Sequence, residues 1–206
     1  MSEQDNRKTP RQRKPKARKF YILNYGFGEK PKDFEVENLA VLRGSAGSLA
    51  PPKGRRGFLV YPETPRVVIG KLGKKASPPT DLELFHSYWL ISERLKVLFE
   101  ELDPEAFAFL ACDVRFSDGS PGPAYWLCDV VRVLDAFGQS TLDDLRKHPY
   151  RGLLGDDSLV FNEDAIGSAH IFCTPYAVNV FVDQSIKDAC QRAGMKGTKF
   201  VPCFKK

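Results

Sequence analysis

Cysteine and histidine are the residues with which this sequence could carry out covalent catalysis. It contains five cysteines and three histidines, and a cysteine beside a histidine can act as a nucleophile. Cys173 with His148 or His170 would form such a pair if the fold brought the side chains into one pocket. A hydrolase with a Cys–His pair is therefore one hypothesis, although any chain of this composition offers such pairs by chance.

The spacing of the cysteines argues against two other uses. Structural zinc sites and the disulfide frameworks of secreted proteins rely on closely or regularly paired cysteines. Here the five are widely separated, with no CxxC pair, and each lies among apolar residues: Cys112, Cys128, Cys173, Cys190 and Cys203. We therefore expect free cysteines that pack as small hydrophobic groups.

Acidic residues cluster between positions 143 and 164. The group comprises Asp143, Asp144, Asp156, Asp157, Glu163 and Asp164. It lacks the regular alternation and central glycine of a calcium-binding loop. One interpretation is a solvated, turn-rich face. The other is an acidic patch that binds a basic partner.

The short motifs of cofactor sites and common catalytic centres are missing from the sequence. There is no GxxxxGK[ST] phosphate loop, no HExxH and no GxSxG. Gly26 and Gly28 lack the third glycine of a dinucleotide fingerprint and indicate a turn instead. We therefore expect neither a cofactor nor a metal, and a protein that is not an enzyme.

Charge is unevenly distributed along the chain. Residues 1–19 hold eight Lys or Arg against two acidic residues, a net charge of +6, whereas the whole chain carries +5. Residues 20–206 are thus almost neutral. Within them, residues 43–75 have eight basic residues against Glu63 alone, so the remaining positions are net acidic. Segregated charge of this kind speeds association with an oppositely charged partner.

Residues 1–19 are expected to form a disordered basic tail, because they contain no aromatic and few aliphatic side chains. Basic tails bind nucleic acid by releasing counterions from phosphate. An accessory protein that associates with RNA or DNA through this tail is therefore the alternative function. The tail offers no ring for base stacking, and no nucleic-acid-binding module is recognisable, so nucleic acid is not the expected partner.

The sequence predicts a cytoplasmic protein without membrane contact. No apolar run approaches the roughly 20 residues that a membrane-spanning helix requires. The basic N-terminus is not followed by the apolar segment of a secretory signal.

The pattern of apolar residues predicts an α+β fold, with a mostly antiparallel sheet, a few short helices and a division into two lobes. After the tail, residues 20–79 form a small β-rich N-terminal lobe and residues 80–206 an α+β lobe. The predicted strands are 20–23, 58–61, 67–69, 89–91, 106–116, 125–133, 159–161, 170–173, 178–182 and 199–201, with 106–116 and 125–133 forming a long hairpin.

Three helices are predicted from their start signals. Ser92 and Asp183 are N-caps, and Ser140 to Asp143 has the spacing of a capping box. The segments beginning at Trp89 and Val180 echo each other as strand, cap and amphipathic helix. The echo predicts two similar helices packed against one shared antiparallel sheet.

The order of several segments resembles a bacterial family of polymorphic-toxin immunity proteins named after a Myxococcus member. The likeness lies in the sequence from Trp89 to Lys96, a hairpin containing Tyr125 to Val131, and a closing region from Val180 to Pro202. It covers most of residues 19–203. Residues 43–79 and the basic tail have no counterpart in this comparison.

The resemblance implies that the chain is an antitoxin that binds and neutralises a cognate secreted toxin. It carries over no catalytic residues. For the surface that binds the toxin, two candidates remain: an acidic face at Asp143, Asp144, Asp156 and Asp157, and a basic stretch at Arg55, Arg56, Lys74 and Lys75. The acidic face is slightly preferred, since toxins that attack nucleic acids are often cationic around their clefts.

Overall fold

A computed structural model describes residues 17–25, 32–44, 49–51, 55–71, 77, 79–148, 152–153, 156 and 158–204. The described residues form eleven strands and five α-helices. The strands are β1 (Phe20–Tyr25), β2 (Phe34–Val36), β3 (Arg66–Ile69), β4 (Leu82–Phe85), β5 (Tyr88–Ser92), β6 (Phe107–Ala111), β7 (Asp113–Phe116), β8 (Tyr125–Val130), β9 (Ile171–Thr174), β10 (Ala177–Asp183) and β11 (Thr198–Pro202). The helices are α1 (Leu39–Arg43), α2 (Glu93–Leu102), α3 (Gln139–Lys147), α4 (Glu163–Ile166) and α5 (Gln184–Arg192), with a 3-10 turn at Pro104–Ala106.

The strands form three sheets. The first has the order β11-β1-β10-β9, the second β4-β5-β8-β6 and the third β2-β3-β7. Every pairing between these strands is antiparallel except that of β3 with β7. The predicted α+β class with mostly antiparallel sheets is confirmed.

Helices α2 and α5 begin where the sequence predicts. The Ser92 hydroxyl accepts a hydrogen bond from the Leu95 amide, and one Asp183 carboxylate oxygen accepts from the amides of Ser185 and Ile186. These bonds satisfy amide groups that the first turn of a helix leaves without partners. Each helix then buries one apolar face.

The two helices belong to a duplicated unit. Strand β5, helix α2 and strand β6 match β10, α5 and β11 at a constant offset: α2 begins at Glu93 and α5 at Gln184, while β6 covers residues 107–111 and β11 residues 198–202. Strand β8 occupies the same place in the second sheet that β1 occupies in the first, between the hairpin strand and the strand that follows the helix.

Side-chain contacts repeat along with the backbone. The Trp126 ring nitrogen of β8 donates a hydrogen bond to Glu93, the first residue of α2, and the Tyr21 hydroxyl of β1 donates to Gln184, the first residue of α5. The ammonium of Lys96 lies 4.6 Å from the Trp126 ring centre. That of Lys187 lies 4.3 Å from the Tyr21 ring centre. The sequence echo is therefore a structural repeat.

The expectation that both helices pack on one shared sheet is wrong. Each helix follows a strand of a different four-stranded sheet, and what the helices share is the core between these sheets. Alternate residues of each central strand point into this core, as the twofold period of a strand requires. In β1, Tyr21 and Leu23 lie in the shared core, whereas Phe20 and Ile22 face the other side of the sheet.

Two different layers cover the outer faces of the four-stranded sheets. Residues from the connection that contains α3 and α4 pack on the outer face of the first sheet, around Phe172 and Phe181. The third sheet and α1 pack on the outer face of the second sheet, around Leu90 and Leu127. The predicted lobe boundary near residue 79 does not coincide with a boundary between sheets, because β1 pairs with β10 and β3 pairs with β7.

Several sequence-based element predictions are wrong. Residues 58–61 form no strand. The Phe58 ring packs on Tyr88, with ring centres 4.7 Å apart. Residues 159–161 contribute only one isolated bridge, between Phe137 and Phe161. The predicted strand 106–116 divides into β6 and β7, which join different sheets. The predicted hairpin between the two segments is nevertheless present, because β6 pairs antiparallel with β8, from Phe107 opposite Val130 to Ala111 opposite Trp126.

Helix α3 also differs from its prediction. It begins at Gln139 with Gly138 at the N-cap and without a side-chain cap, so the capping box at Ser140 does not form. The hydroxyl of Thr141 instead accepts a hydrogen bond from the amide of Val160 at 2.8 Å. This bond ties the first turn of the helix to the connection that follows it. Separately, no helix among the described residues is long and apolar enough to cross a membrane.

Candidate partner-binding site

A cleft of about 610 Å³ opens between the two four-stranded sheets, at the end of the shared core away from the helix N-termini. We call it the central cleft. Its floor contains one residue from each central strand of the two sheets: Leu23 of β1, Trp89 of β5, Cys128 of β8 and Val180 of β10. Its rim includes Arg55, Arg56 and His86, together with Leu84 and Val178. The central cleft therefore lies between the two repeats and is lined by residues of both.

Arg56 is held at the rim by a buried carboxylate. Its guanidinium bonds to one oxygen of Asp129 at 2.5 Å and to the Val130 carbonyl at 2.9 Å, and the Gly57 amide bonds to the other Asp129 oxygen at 2.5 Å. Asp129 itself is 2% exposed. Burial raises the pKa of Asp129, while the Gly57 amide and the charge of Arg56 act in the opposite direction.

Two further contacts fix the segment that follows Arg56. The Tyr88 hydroxyl donates to the Gly57 carbonyl at 3.1 Å, and Gly57 has a φ of +91°, which favours glycine. Arg56 is thus a structural residue as well as a rim residue. Arg55, by contrast, is exposed, and no ion pair joins it to any residue that the structure describes.

The two hairpins at the mouth of the central cleft have unusual backbone. His86 turns the chain between β4 and β5 with a φ of +54°, and its ring packs edge-on against Phe85 at 4.7 Å. In the other hairpin, Thr174 pairs with Ala177 and Cys173 with Val180, so residues 178 and 179 of β10 have no partner on β9. This bulge leaves Val178 95% exposed.

The acidic residues lie on another surface. Asp143 and Asp144 lie on α3, which covers the outer face of the first sheet, and Asp144 and Asp156 line one cavity of about 250 Å³. We call Asp143, Asp144 and Asp156 the acidic surface. Asp157, Lys74 and Lys75 fall outside the described residues.

The carboxylates of the acidic surface already have polar neighbours. Asp143 accepts bonds from Arg146 at 2.9 Å and Gln139 at 2.8 Å. Asp156 accepts from the amide and hydroxyl of Ser158, at 2.9 and 2.6 Å. Asp144 lies 4.0 Å from the His148 ring.

The structure does not assemble the Cys–His pair. Cys173 is buried in the shared core, where its thiol contacts the Val130 carbonyl and burial raises its pKa to about 11. The His170 ring lies instead beside Asp183, with its ring nitrogen 2.8 Å from the carboxylate. His148 is exposed at the end of α3. Within the described part of the chain, no three His, Cys, Asp or Glu side chains are grouped to hold a metal ion.

Arg18 attaches the start of the described chain to the fold. Its guanidinium bonds to Asp183 at 2.9 Å and to the carbonyls of Gly167 and Ala169 at 2.7 and 2.6 Å. Residues 1–16 of the predicted tail lie outside the described residues.

Sequence analysis missed most of the central cleft. It singled out Arg55 and Arg56 but not His86, Asp129 or Val178. The one available signal was Asp129, a carboxylate inside an otherwise apolar strand, since a buried charge needs a partner. Nothing in the sequence around Val178 marks a bulge.

Comparison with protein-family models matches residues 14–205 to the immunity protein family (Imm11). The match includes residues 43–79, for which the resemblance seen in the sequence gave no counterpart. No curated protein matches the chain. Because the family match spans far more than half of the chain, this protein belongs to the immunity protein family (Imm11).

Proposed function

We propose that this protein binds a cognate secreted bacterial toxin and keeps it inactive in the cytoplasm of the cell that produces both. The observation that carries the proposal is the family match over residues 14–205. Neutralisation by binding requires a stable surface that matches one partner, and it requires no catalytic group.

The described residues offer two surfaces on which such a partner could bind. The central cleft combines an apolar floor with basic residues at its rim. The acidic surface carries three carboxylates on α3 and the following connection. The surfaces lie on different parts of the fold, so variants can test each separately.

Co-expression with the toxin tests the proposal. The neighbouring genes are searched for a secreted effector, and its toxin domain is expressed in a bacterial host, with and without the full chain. We expect growth arrest without the chain, restored growth with it, and a stable complex on co-purification. Unrestored growth together with failure to co-purify would overturn the proposal.

A variant that lacks residues 2–16 tests the nucleic-acid alternative. That alternative rests on the +6 charge of residues 1–19. We expect the variant to keep full protection and toxin binding, because Arg18 and all the other residues that the structure describes remain. Loss of protection together with loss of salt-sensitive RNA or DNA binding would favour the accessory function instead.

A further inference from the structure

We propose that the central cleft is the docking site for the toxin, and that it receives an acidic loop of the toxin that inserts an apolar side chain between the two hairpins. This inference rests on the proposed function and names the surface and the chemistry of the partner. It selects the cleft over the acidic surface that the sequence favoured.

The first argument is where the repeat breaks. The two halves agree in the pairing of their central strands: Phe107 pairs with Val130 as Thr198 pairs with Tyr25, and Ser92 pairs with Tyr125 as Asp183 pairs with Phe20. They differ in the hairpins at the cleft, since β9–β10 contains the two-residue bulge and β4–β5 pairs without a shift. Bulges re-aim side chains and are common beside functional sites.

The second argument is the apolar surface at the mouth of the central cleft. The bulge exposes Val178 on one hairpin, at 95%, and Leu84 of the other hairpin is 41% exposed. The floor beneath them is apolar. Apolar side chains that are exposed to water above an apolar pocket mark a surface that favours burial. Contact with a matching apolar side chain of a partner would bury this surface and stabilise the complex. An apolar side chain of a partner is therefore the group that fits between the hairpins.

The third argument is the charge of the rim. Arg55 and Arg56 are the basic residues among the described lining residues, and the acidic residue among them, Asp129, is buried and already bonded to Arg56. The accessible rim is therefore positive. A partner that brings carboxylates beside its apolar side chain would pair with Arg55, which has no ion-pair partner in the described part of the chain.

The fourth argument is rigidity. The bonds from Asp129 and Tyr88 to residues 56 and 57 hold the segment next to Arg55 in place before any partner binds. A preformed site loses less conformational entropy on binding. On the acidic surface, by contrast, Asp143 and Asp156 already accept bonds from their own neighbours, so a partner would have to compete for these carboxylates.

Two cleft variants with matched controls test the site. Arg55→Glu reverses an exposed charge, and Val178→Ser removes an exposed apolar side chain. The controls are Lys147→Glu on α3, and Val60→Ser, since Val60 is fully exposed and does not line the cleft. All four positions are exposed, so the variants should fold, which circular dichroism checks.

Affinity and kinetics of the toxin complex give the result. We expect Arg55→Glu to raise Kd at least about tenfold with a slower association rate and a weaker salt dependence. Val178→Ser should raise Kd about three- to tenfold through faster dissociation. The controls should stay within about twofold of the unmodified protein.

A cross-linking experiment tests the occupant. Val178→Cys provides one exposed thiol, whereas the five native cysteines have pKa values raised by burial, to about 11 for Cys173 and about 12 for Cys112. A short photoreactive linker at position 178, which reacts without regard to side-chain charge, should capture a toxin segment that contains Asp or Glu beside an apolar residue. A captured segment of net positive charge would overturn the proposed occupant.

The outcomes separate the two proposals. Normal binding by both cleft variants, with loss of binding by an Asp143→Lys, Asp144→Lys double variant, would overturn the docking site and leave the proposed function intact. Failure of the unmodified protein to bind or neutralise the toxin would overturn the proposed function, and the docking site with it.

Discussion

Arg56 and Asp129 show how a single buried carboxylate can organise a surface. Asp129 interrupts the apolar strand β8, and its two oxygens accept from the Arg56 guanidinium and the Gly57 amide. A buried charge is tolerated only when it is paired and hydrogen-bonded. The pair therefore fixes the segment in which Arg55 lies at the rim of the central cleft. Arg56, which stabilises the fold, is thus adjacent to Arg55, which we propose binds the toxin.

Replacing Arg56 with alanine should lower the free energy of unfolding by about 2–3 kcal/mol, since it leaves the buried Asp129 carboxylate without its charged partner. The side chain of Arg56 is 31% exposed, which places the expected loss below that of a fully buried pair. Urea unfolding measures the difference. Arg55→Ala is the matched control and should change stability by no more than about 0.5 kcal/mol.

The stability loss caused by Arg56→Ala should depend on pH. Because the pKa of Asp129 is raised in the folded protein, its contribution to stability is fully present below the ordinary Asp pKa and is lost as the pH rises through the raised value. Removing Arg56 raises that pKa further. The deficit of Arg56→Ala should therefore be smaller in acid and grow towards neutral pH. A pH-independent deficit would contradict this account of the pair.

At the scale of elements, the two repeats hold each other at reciprocal points. Asp103, at the end of α2, accepts bonds from the amides of His170 and Ile171 at 2.8 and 3.2 Å, where β9 begins. Asp81, just before β4, accepts from the amide of Lys196 at 2.7 Å, after α5 ends. Each repeat is thus joined to the other where one helix ends and the partner hairpin begins.

Gly197 lies next to Lys196, at one of these junctions between the repeats. A substitution at Gly197 can test how tightly the junction is packed. Its φ is +83°, and a β-carbon there would lie 2.3 Å from the Leu82 carbonyl oxygen and 2.2 Å from the Thr80 hydroxyl. Gly197→Ala should cost about 2–4 kcal/mol, because it combines an unfavourable φ with a clash against backbone.

Gly119→Ala is the control for the effect of φ alone. Gly119 has a φ of +85°, and a β-carbon there would contact nothing within 4 Å. Its substitution should cost about 1–2 kcal/mol. Thermal unfolding compares the two variants, and equal losses would show that the junction can open to admit a methyl group.

For the whole molecule, the shared core makes the two halves one folding unit. Residues of both four-stranded sheets and of both amphipathic helices pack in it, including Leu23, Ile91, Phe99 and Ile186. Neither half could bury this surface alone. The duplication therefore produces one body with a cleft at its centre, rather than two domains in tandem.

Unfolding followed by two probes tests this unity. Both tryptophans, Trp89 and Trp126, belong to the second sheet, so their fluorescence reports that half. Far-ultraviolet circular dichroism reports the whole chain. We expect coincident urea transitions, because loss of one sheet exposes the core of the other. Separate transitions would instead support independent lobes.

Sequence alone determined the features that depend on neighbouring residues. The caps at Ser92 and Asp183, the amphipathic faces of α2 and α5, and the strands around Ile22, Leu90 and Phe181 follow from local spacing and hydrogen bonding. The echo between the two halves was visible for the same reason, since each copy is a local pattern. The segment order likewise led to the family that the model match confirms.

Only the tertiary structure decided how these local elements combine. The sequence could not show that the two helices follow strands of different sheets, or that residues 106–116 divide between two sheets. It also could not show that Asp129 pairs with Arg56, which lies 73 positions away in the chain. Nor could it show the bulge at Val178. Each of these depends on strand register and on contacts between distant segments, and such long-range pairing is set by the packing of the whole core and leaves no local signal.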